Sequence, residues 1–369
     1  MFRAIVPFIR KWCVLAFSVG TSLAFLWSGS LLFARLGDPF WLTLIFVWLF
    51  VTVLASALLV VHHADHLAEQ LGEPFGTLIL TLSIMSIEVT SISAAMLHGQ
   101  NNPTLARDTL FAVVMIILNG MVGLSLLMGG WRHREQHYNL QGANAYLGVI
   151  IPLVVFSLIM PNYTTTTPGP TLSGAQELFL VFMSIGLYSV FLLMQTRRHS
   201  GYFMLDGDTV AHASPTASVR SVVHHAGMLI AYLIPVTFLA KQLAFPIDYF
   251  IETLQAPAPV GGVIIAILVG TPEAIGAVRA AMANHLQRSV NIFLGSILST
   301  SGLTIPVVIL ISQFTGRSIV LGVEHTDLIM LLLTLGVSTI TFASGRTNVI
   351  QGAVHLILFA AYLFFIVQS

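Results

Sequence analysis

Residues 76–99, GTLILTLSIMSIEVTSISAAMLHG, form an apolar run of about the length that crosses a bilayer, and the run has one acidic residue, Glu88. A similar run at 261–284, GGVIIAILVGTPEAIGAVRAAMAN, has Glu273 at the same place, twelve residues after its first glycine. Twelve helical residues reach about 18 Å, past the midpoint of a ~30 Å hydrocarbon core. Both carboxylates are therefore expected deep in the membrane, where an acidic residue indicates function.

The composition around these two runs is that of a membrane protein. Soluble domains carry about 25% charged residues, whereas here charged residues make up 8% and hydrophobic residues 56%. Fifteen Lys and Arg residues balance fifteen Asp and Glu residues, so the net charge does not favour a nucleic-acid partner. The composition predicts an integral membrane protein, with the lipid bilayer as a partner.

Hydropathy predicts about eleven membrane spans, each a continuous apolar run. Such runs favour helices over the short alternating segments of a barrel. The predicted limits are 12–34, 39–61, 76–98, 109–129, 143–160, 176–195, 222–245, 260–284, 290–312, 326–343 and 349–367.

Arginines and lysines predict the orientation of these spans. With the N-terminus inside, the cytoplasmic side would carry Arg3, Arg10, Lys11, Arg132, Arg134, Arg197, Arg198, Arg220, Arg288 and Arg346. The other side would carry only Arg35, Arg107, Lys241 and Arg317. The excess favours a cytoplasmic N-terminus and an external C-terminus.

The repeated runs predict a duplicated chain with a 1+5+5 arrangement. An odd number of helices per copy inverts the second copy in the membrane, as in many secondary transporters, whose ion sites lie near the midplane. The predicted parts are an N-terminal helix at 1–38, a five-helix repeat at 39–195, a cytoplasmic linker at 196–221 and a second repeat at 222–369.

Several residues near the two glutamates are candidate cation ligands. Small residues on the Glu273 face let helices approach closely, so the sequence predicts that the two carboxylates meet. Pro272 lacks an N–H, which would free main-chain oxygen near Leu268 and Val269 for a hard cation. Weaker candidates, each as consistent with an interhelical hydrogen bond as with a ligand, are Ser86, Ser296, Thr300 and Asn119. Asn119 and Thr300 correspond, since each follows an arginine by twelve residues.

A second group of ionisable residues lies at 62–73, HHADHLAEQLGE, which contains no lysine or arginine. It is either a site that gathers cations or senses pH, because histidine titrates near neutrality, or a solvated loop. Nothing in the segment fixes the four converging ligands that a zinc site needs. His224 and His225, at the start of the seventh span, are expected to be interfacial.

The two glutamate-bearing runs, with their extensions at 72–75 and 285–310, resemble the repeats of the calcium/cation–proton antiporter family, in its bacterial ChaA-type branch. The resemblance implies exchange of a cation, calcium first and sodium or potassium as alternatives, for protons across a bacterial inner membrane. It also implies that Glu88 and Glu273 are the essential acids. The broader family has a Gly-Asn pair shortly before each glutamate, where this chain has Ile84-Met85 and Val269-Gly270.

These observations predict a transport mechanism and two competing functions. Two carboxylates in a low-dielectric site resist being ionised together, so protons or a cation must neutralise them before the protein changes state. A cation channel with the same glutamates as its selectivity filter is the alternative. An intramembrane enzyme is disfavoured because the spans contain no HExxH, GxSxG or paired-aspartate motif. No cofactor is expected beyond the transported cation and protons.

Overall fold

A computed structural model of the chain describes residues 2–71, 75–97, 103–204 and 219–368. The chain forms two compact units, which are described separately. The first unit is Met1–Asn101 with Val210–Ala256, and the second is Asn102–Thr209 with Pro257–Ser369.

Helices make up most of the described residues. They are α1 (Phe2–Phe33), α2 (Pro39–Leu71), α3 (Phe75–Leu97), α4 (Leu105–Met115), α5 (Val122–His133), α6 (Leu140–Val154), α7 (Gly174–Leu193), α8 (Val219–Asp248), α9 (Pro259–Met282), α10 (Leu286–Ser299), α11 (Ile305–Thr315), α12 (His325–Thr341) and α13 (Val349–Gln368). A π-helical turn at Ile116–Met121 joins α4 to α5, and another at Thr300–Thr304 joins α10 to α11. Each joined pair therefore counts as one long span.

The predicted all-helical membrane fold with about eleven spans is confirmed. Within the described residues, nine helical segments are long and apolar enough to cross a membrane, and Thr81–Ala94 and His325–Thr341 are two shorter apolar helices. Each of these segments overlaps one predicted span. The sequence predicted no strands, but β1 (Glu135–His137) and β2 (Arg346–Asn348) form a short antiparallel pair.

In the first unit, α2 packs against α1, α3 and α8. Ile45, Leu49 and Val53 of α2 are buried at the centre of this group, as an apolar face requires. α2 continues ten residues beyond the predicted limit of 61, to Leu71. The histidines that follow the apolar run are therefore helical, and the prediction of a loop there is wrong up to Leu71; Glu73 lies outside the described residues.

In the second unit, hydrogen bonds between loops show which loops share an end. At one end, here called the sheet end, the β1–β2 pair joins the loop after α5 to the loop after α12. Three further bonds hold this end: Asn139 N to Gln287 Oε1 (2.6 Å), His133 Nε2 to Met282 O (2.9 Å) and Asn139 Nδ2 to Gly201 O (3.1 Å).

The opposite end of the second unit is held by a separate set of loop contacts. They are Val320 N to Pro103 O (2.9 Å), Gly322 N to Pro170 O (3.2 Å) and Asn162 Nδ2 to Val323 O (2.6 Å). Loops thus alternate between the two ends along the chain, as transmembrane spans require.

The predicted linker is partly folded onto the second unit. A short 3₁₀ turn, Ser200–Phe203, buries Phe203, whose carbonyl accepts a 2.8 Å hydrogen bond from Asn291. Residues 205–218 of the linker lie outside the described residues. The division of the chain into two inverted repeats at 39–195 and 222–369 stays a prediction.

Candidate functional site

Glu273 lies on α9 with its side chain buried, 8% exposed. Its carboxylate accepts a hydrogen bond from the hydroxyl of Ser296 on α10, which is equally buried. A carboxylate away from water is costly unless hydrogen bonds or a cation compensate for it. The structure therefore brings together two of the predicted site residues, a carboxylate and a hydroxyl, on neighbouring helices.

Main-chain oxygens near Pro272 were predicted as ligands because the backbone there was expected to unwind. α9 is a continuous helix from Pro259 to Met282, so the predicted unwinding is not observed. Proline has no N–H, so residue 272 cannot donate to the carbonyl of Leu268, which thus lacks its usual helical partner. Leu268 and Val269 are buried, and their role as ligands stays a prediction.

Irregular backbone occurs in the two spans that follow the glutamate helices, and π-helical turns also end α6, α7 and α8 at Val155–Ile159, Met194–Arg198 and Tyr249–Thr253. The turns at Ile116–Met121 and Thr300–Thr304 are π-helical, a geometry that often marks functional positions. Each contains one of the residues matched by spacing, Asn119 or Thr300, and both are buried. The sequence correspondence between these two spans thus has a structural counterpart.

Asn119 is held by residues that are not among the predicted site residues. Its Nδ2 donates to Thr334 Oγ1 at 2.8 Å, and its Oδ1 lies 3.2 Å from His355 Nδ1. His355 is fully buried, and its Nε2 lies 3.0 Å from Thr341 Oγ1. The Asn119 amide therefore faces α12 and α13 rather than Glu273. The only sequence signal for His355 was a single histidine inside the apolar run of α13.

Glu88 lies on α3 in the first unit, where its side chain is 2% exposed. The hydroxyl of Ser86, a predicted ligand, donates to Leu82 O on the same helix at 2.6 Å. That bond uses the hydroxyl proton and leaves oxygen lone pairs that can still face a cation. Because Glu88 and Glu273 belong to different compact units, the prediction that their carboxylates meet stays a prediction.

The predicted histidine segment lies close to Glu88 along the chain and in the same unit. His63 is 1% exposed, so the solvated-loop interpretation is wrong for this residue. His225, expected at the interface, lies against it with their Nδ1 atoms 2.9 Å apart. Among the described residues, no three His, Cys, Asp or Glu side chains are arranged to hold a metal ion.

Comparison with known families decides the class of protein. The family model described as sodium/calcium exchanger protein matches residues 41–197 and 224–368. The chain belongs to this family. It is therefore a membrane transporter and not an enzyme, and the predicted resemblance to cation–proton antiporters is confirmed.

Two curated bacterial relatives match most of the chain. A putative ionic transporter, y4hA, from Sinorhizobium fredii is 44% identical over 304 residues, which are 82% of this chain and 83% of the relative. The sodium-potassium/proton antiporter ChaA of Escherichia coli is 41% identical over 317 residues, covering 84% and 85%.

A solved structure shares the fold of the whole chain. The Ca²⁺/H⁺ antiporter protein YfkE aligns with a TM-score of 0.71 at 18% identity, covering 97% of this chain and 99% of that one. At that identity the likeness bears on the fold alone, and it supports the eleven-span membrane architecture.

Proposed function

We propose that this protein is a secondary active transporter that exchanges a cation for protons, with Glu88 and Glu273 as the groups that carry both. The observation behind the proposal is a pair of buried acids at matching positions of two similar apolar runs. Ser296 supplies a hydroxyl to one of them. Buried acids in membrane helices are rare and mark ion or proton pathways.

Coupling follows from the cost of leaving buried carboxylates charged. Protons neutralise a carboxylate covalently, and a cation neutralises it by coordination, but not both at once. An empty, ionised site is expensive in a low-dielectric interior, so the protein changes state only when protons or cation are bound. Cation and protons therefore cross in alternation, which is exchange.

Sodium and potassium are the proposed cations, with calcium as the second candidate. The relative that is 41% identical is named a sodium-potassium/proton antiporter. Calcium takes six to eight oxygen ligands, and Ile84-Met85 and Val269-Gly270 supply no side-chain amides where the broader family has Gly-Asn pairs. These two observations support the monovalent ions, whereas the family resemblance put calcium first. An inner-membrane location with a cytoplasmic N-terminus is part of the same proposal.

Transport in proteoliposomes tests the exchange. With an imposed pH gradient, the wild-type protein is expected to move Na⁺ or K⁺ against its concentration gradient, and assays with Ca²⁺ rank the three ions. Glu88→Gln and Glu273→Gln are expected to abolish proton-coupled flux, because an amide cannot release a proton. Glu135→Gln, at an exposed carboxylate, is the matched control and is expected to keep full activity.

Two results would contradict the proposal. Cation flux that only runs downhill and does not saturate would indicate a channel instead. Normal proton-coupled flux in either glutamine variant would remove that glutamate from the mechanism. Gel-filtration profiles equal to that of the wild type would show that the variants are folded.

A further inference from the structure

Five histidines of the first unit form one cluster across two helices. His62, His63 and His66 lie on α2, and His224 and His225 lie on α8. Ring centroids are 4.6 Å apart for His62 and His66, 4.8 Å for His66 and His225, and 5.0 Å for His63 and His225. The protein has thirteen histidines, so this group holds more than a third of them at one place.

The closest contact in this histidine cluster joins the two helices. The Nδ1 atoms of His63 and His225 are 2.9 Å apart, so one ring donates a proton and the other accepts it. If one ring takes up a proton at Nε2, its Nδ1 proton can pass to the other ring, which then releases its own Nε2 proton. The pair can therefore pass a proton on without any net change in its own charge.

The cluster extends from solvent into the interior of the unit. The side chain of His66 is 41% exposed and lies 3.5 Å from Glu69, which is 61% exposed. His63, in contrast, is 1% exposed. His225 lies between them, within ring contact of both. The imidazoles thus form a series from an exposed residue, beside the exposed carboxylate of Glu69, to a buried one.

Glu88 lies deeper than this series on an adjoining helix. His63 is eight residues before the end of α2, about 12 Å along the helix, whereas Glu88 is thirteen residues after the start of α3, about 20 Å. Three residues join these helices, and α3 packs against both α2 and α8. The cluster therefore occupies the part of the unit between water and the level of Glu88.

Ionisable side chains of both signs lie on the helices that pack around the cluster. The packed helices contribute Asp65 and Glu69 from α2, Arg220 and Tyr232 from α8, and Glu88 from α3. α1 carries Arg3, Arg10 and Lys11 near its N-terminus and no charged residue between Trp12 and Phe33. Among the described residues no three His, Cys, Asp or Glu side chains are placed to hold a metal ion, whereas the 2.9 Å contact between the Nδ1 atoms of His63 and His225 suits proton transfer.

We propose that these five histidines are a proton relay that carries protons between water and Glu88. The relay rests on the proposed exchange function and names the side chains through which the exchanged protons move. His66 exchanges protons with water, His225 and His63 pass them across the two helices, and Glu88 is the acceptor or donor at the inner end.

The test compares two reactions of the reconstituted protein. One is Na⁺ uptake driven by a pH gradient, which needs protons. The other is exchange of labelled Na⁺ for unlabelled Na⁺ at equal pH, which does not. His63→Asn and His225→Asn retain a polar group near the Nδ1 position but cannot relay a proton. Each is expected to slow the first reaction roughly a hundredfold, the lower end of a positioned proton-transfer group's effect, and to leave the second unchanged.

Added imidazole buffer is expected to restore part of the lost rate, because a diffusible base replaces the missing ring. His137→Asn, at an exposed strand position, is the control and is expected to match the wild type in both reactions. If both reactions slow together in the relay variants, the histidines are structural and the proposal is wrong. It is also wrong if neither reaction slows.

Glu88→Gln, measured in the same experiment, separates this proposal from the exchange function. If that variant loses proton-driven uptake while the histidine variants keep it, only the relay is refuted. If Glu88→Gln keeps proton-driven uptake, the exchange mechanism and the relay both fail.

Discussion

Ser296 is a hydrogen-bond partner of Glu273. Its hydroxyl donates to the carboxylate inside a packed pair of helices. A hydrogen bond to a charged group contributes about 1.5 to 3 kcal/mol, and more is lost when the remaining partner stays buried. In the proposed mechanism, the serine thus stabilises the ionised carboxylate that receives the cation.

Replacing this serine is expected to weaken cation binding. Ser296→Ala removes the donor and leaves the carboxylate in place, so the apparent KM for Na⁺ should rise roughly ten- to hundredfold, since 1.4 kcal/mol is a factor of ten. Initial rates of proton-driven uptake over a range of Na⁺ concentrations measure this change.

Ser189→Ala is the control for that variant, because Ser189 is exposed and bonds only its own helix, to Ile185 O at 2.7 Å. An unchanged KM in Ser296→Ala would mean that the serine is a packing residue and not part of the site. Ser296→Thr keeps the hydroxyl and should retain most of the affinity.

Single functional residues could be predicted from the sequence only where a side chain differs chemically from its neighbours along the chain. Glu88 and Glu273 could be predicted because a charge in an apolar run has few structural explanations. His355 was not selected, since its importance depends on contacts with Asn119 and Thr341, which are 236 and 14 residues away. The histidine pair of the relay likewise spans 162 residues, and spacing along the chain cannot show such contacts.

At the scale of helices, close approach of backbones fixes the position of α5 against α13. A side chain at Gly352 would collide with the main chain of Leu127 and lie 2.9 Å from Gly123 O. A side chain at Gly123 would lie 2.9 Å from the main-chain nitrogen of Leu356. Small residues permit such contacts between membrane helices. These glycines therefore set the spacing of two helices that surround the Asn119 turn.

A methyl group at Gly352 is expected to destabilise the protein. Gly352→Ala forces α5 and α13 apart, and overpacking of this kind costs about 1 to 3 kcal/mol. The melting temperature in detergent, followed by tryptophan fluorescence, should fall relative to the wild type. Since α13 also carries His355, the transport rate should fall with it.

Gly186→Ala on α7 is the matched control, because nothing lies within 4 Å of the added carbon. Alanine is the better helix former by about 1 kcal/mol, so this variant should be as stable as the wild type or slightly more so. Equal melting temperatures for Gly352→Ala and the wild type would show that α13 shifts without cost.

Hydropathy located the helices well because a span must be apolar along its whole length. It could not predict how helices continue or bend within that length. The π-helical turns at Ile116–Met121 and Thr300–Thr304 lie inside apolar runs, and their geometry depends on packing with other helices. The extension of α2 past residue 61 depends on contacts that bury His63, which hydropathy treats as a polar residue.

At the scale of the molecule, loop contacts and span counting give the same topology for the second unit. Loops after the fourth, sixth, eighth and tenth spans meet at the sheet end, and loops after the third, fifth and ninth meet at the opposite end. An error of one span in the middle of the chain would have placed β1 and β2 on opposite sides. The pairing of Glu135 with Asn348 therefore supports the count between them.

The remaining question at this scale is which end faces the cytoplasm, and the charge distribution predicts that it is the sheet end. The loops at that end include Arg132, Arg134 and Arg346, whereas the opposite loops include Arg317. Positively charged loops stay on the cytoplasmic side. Ala343→Cys, exposed at the sheet end, should therefore be shielded in intact cells from a membrane-impermeant maleimide.

Thr165→Cys, exposed in the loop after the fifth span, provides the opposite case and should react in intact cells. Both variants need a Cys13→Ser background, because Cys13 is exposed and is the protein's one cysteine. Permeabilised cells should label both positions, which shows that each thiol is reactive. Labelling of Ala343→Cys but not Thr165→Cys in intact cells would invert the orientation.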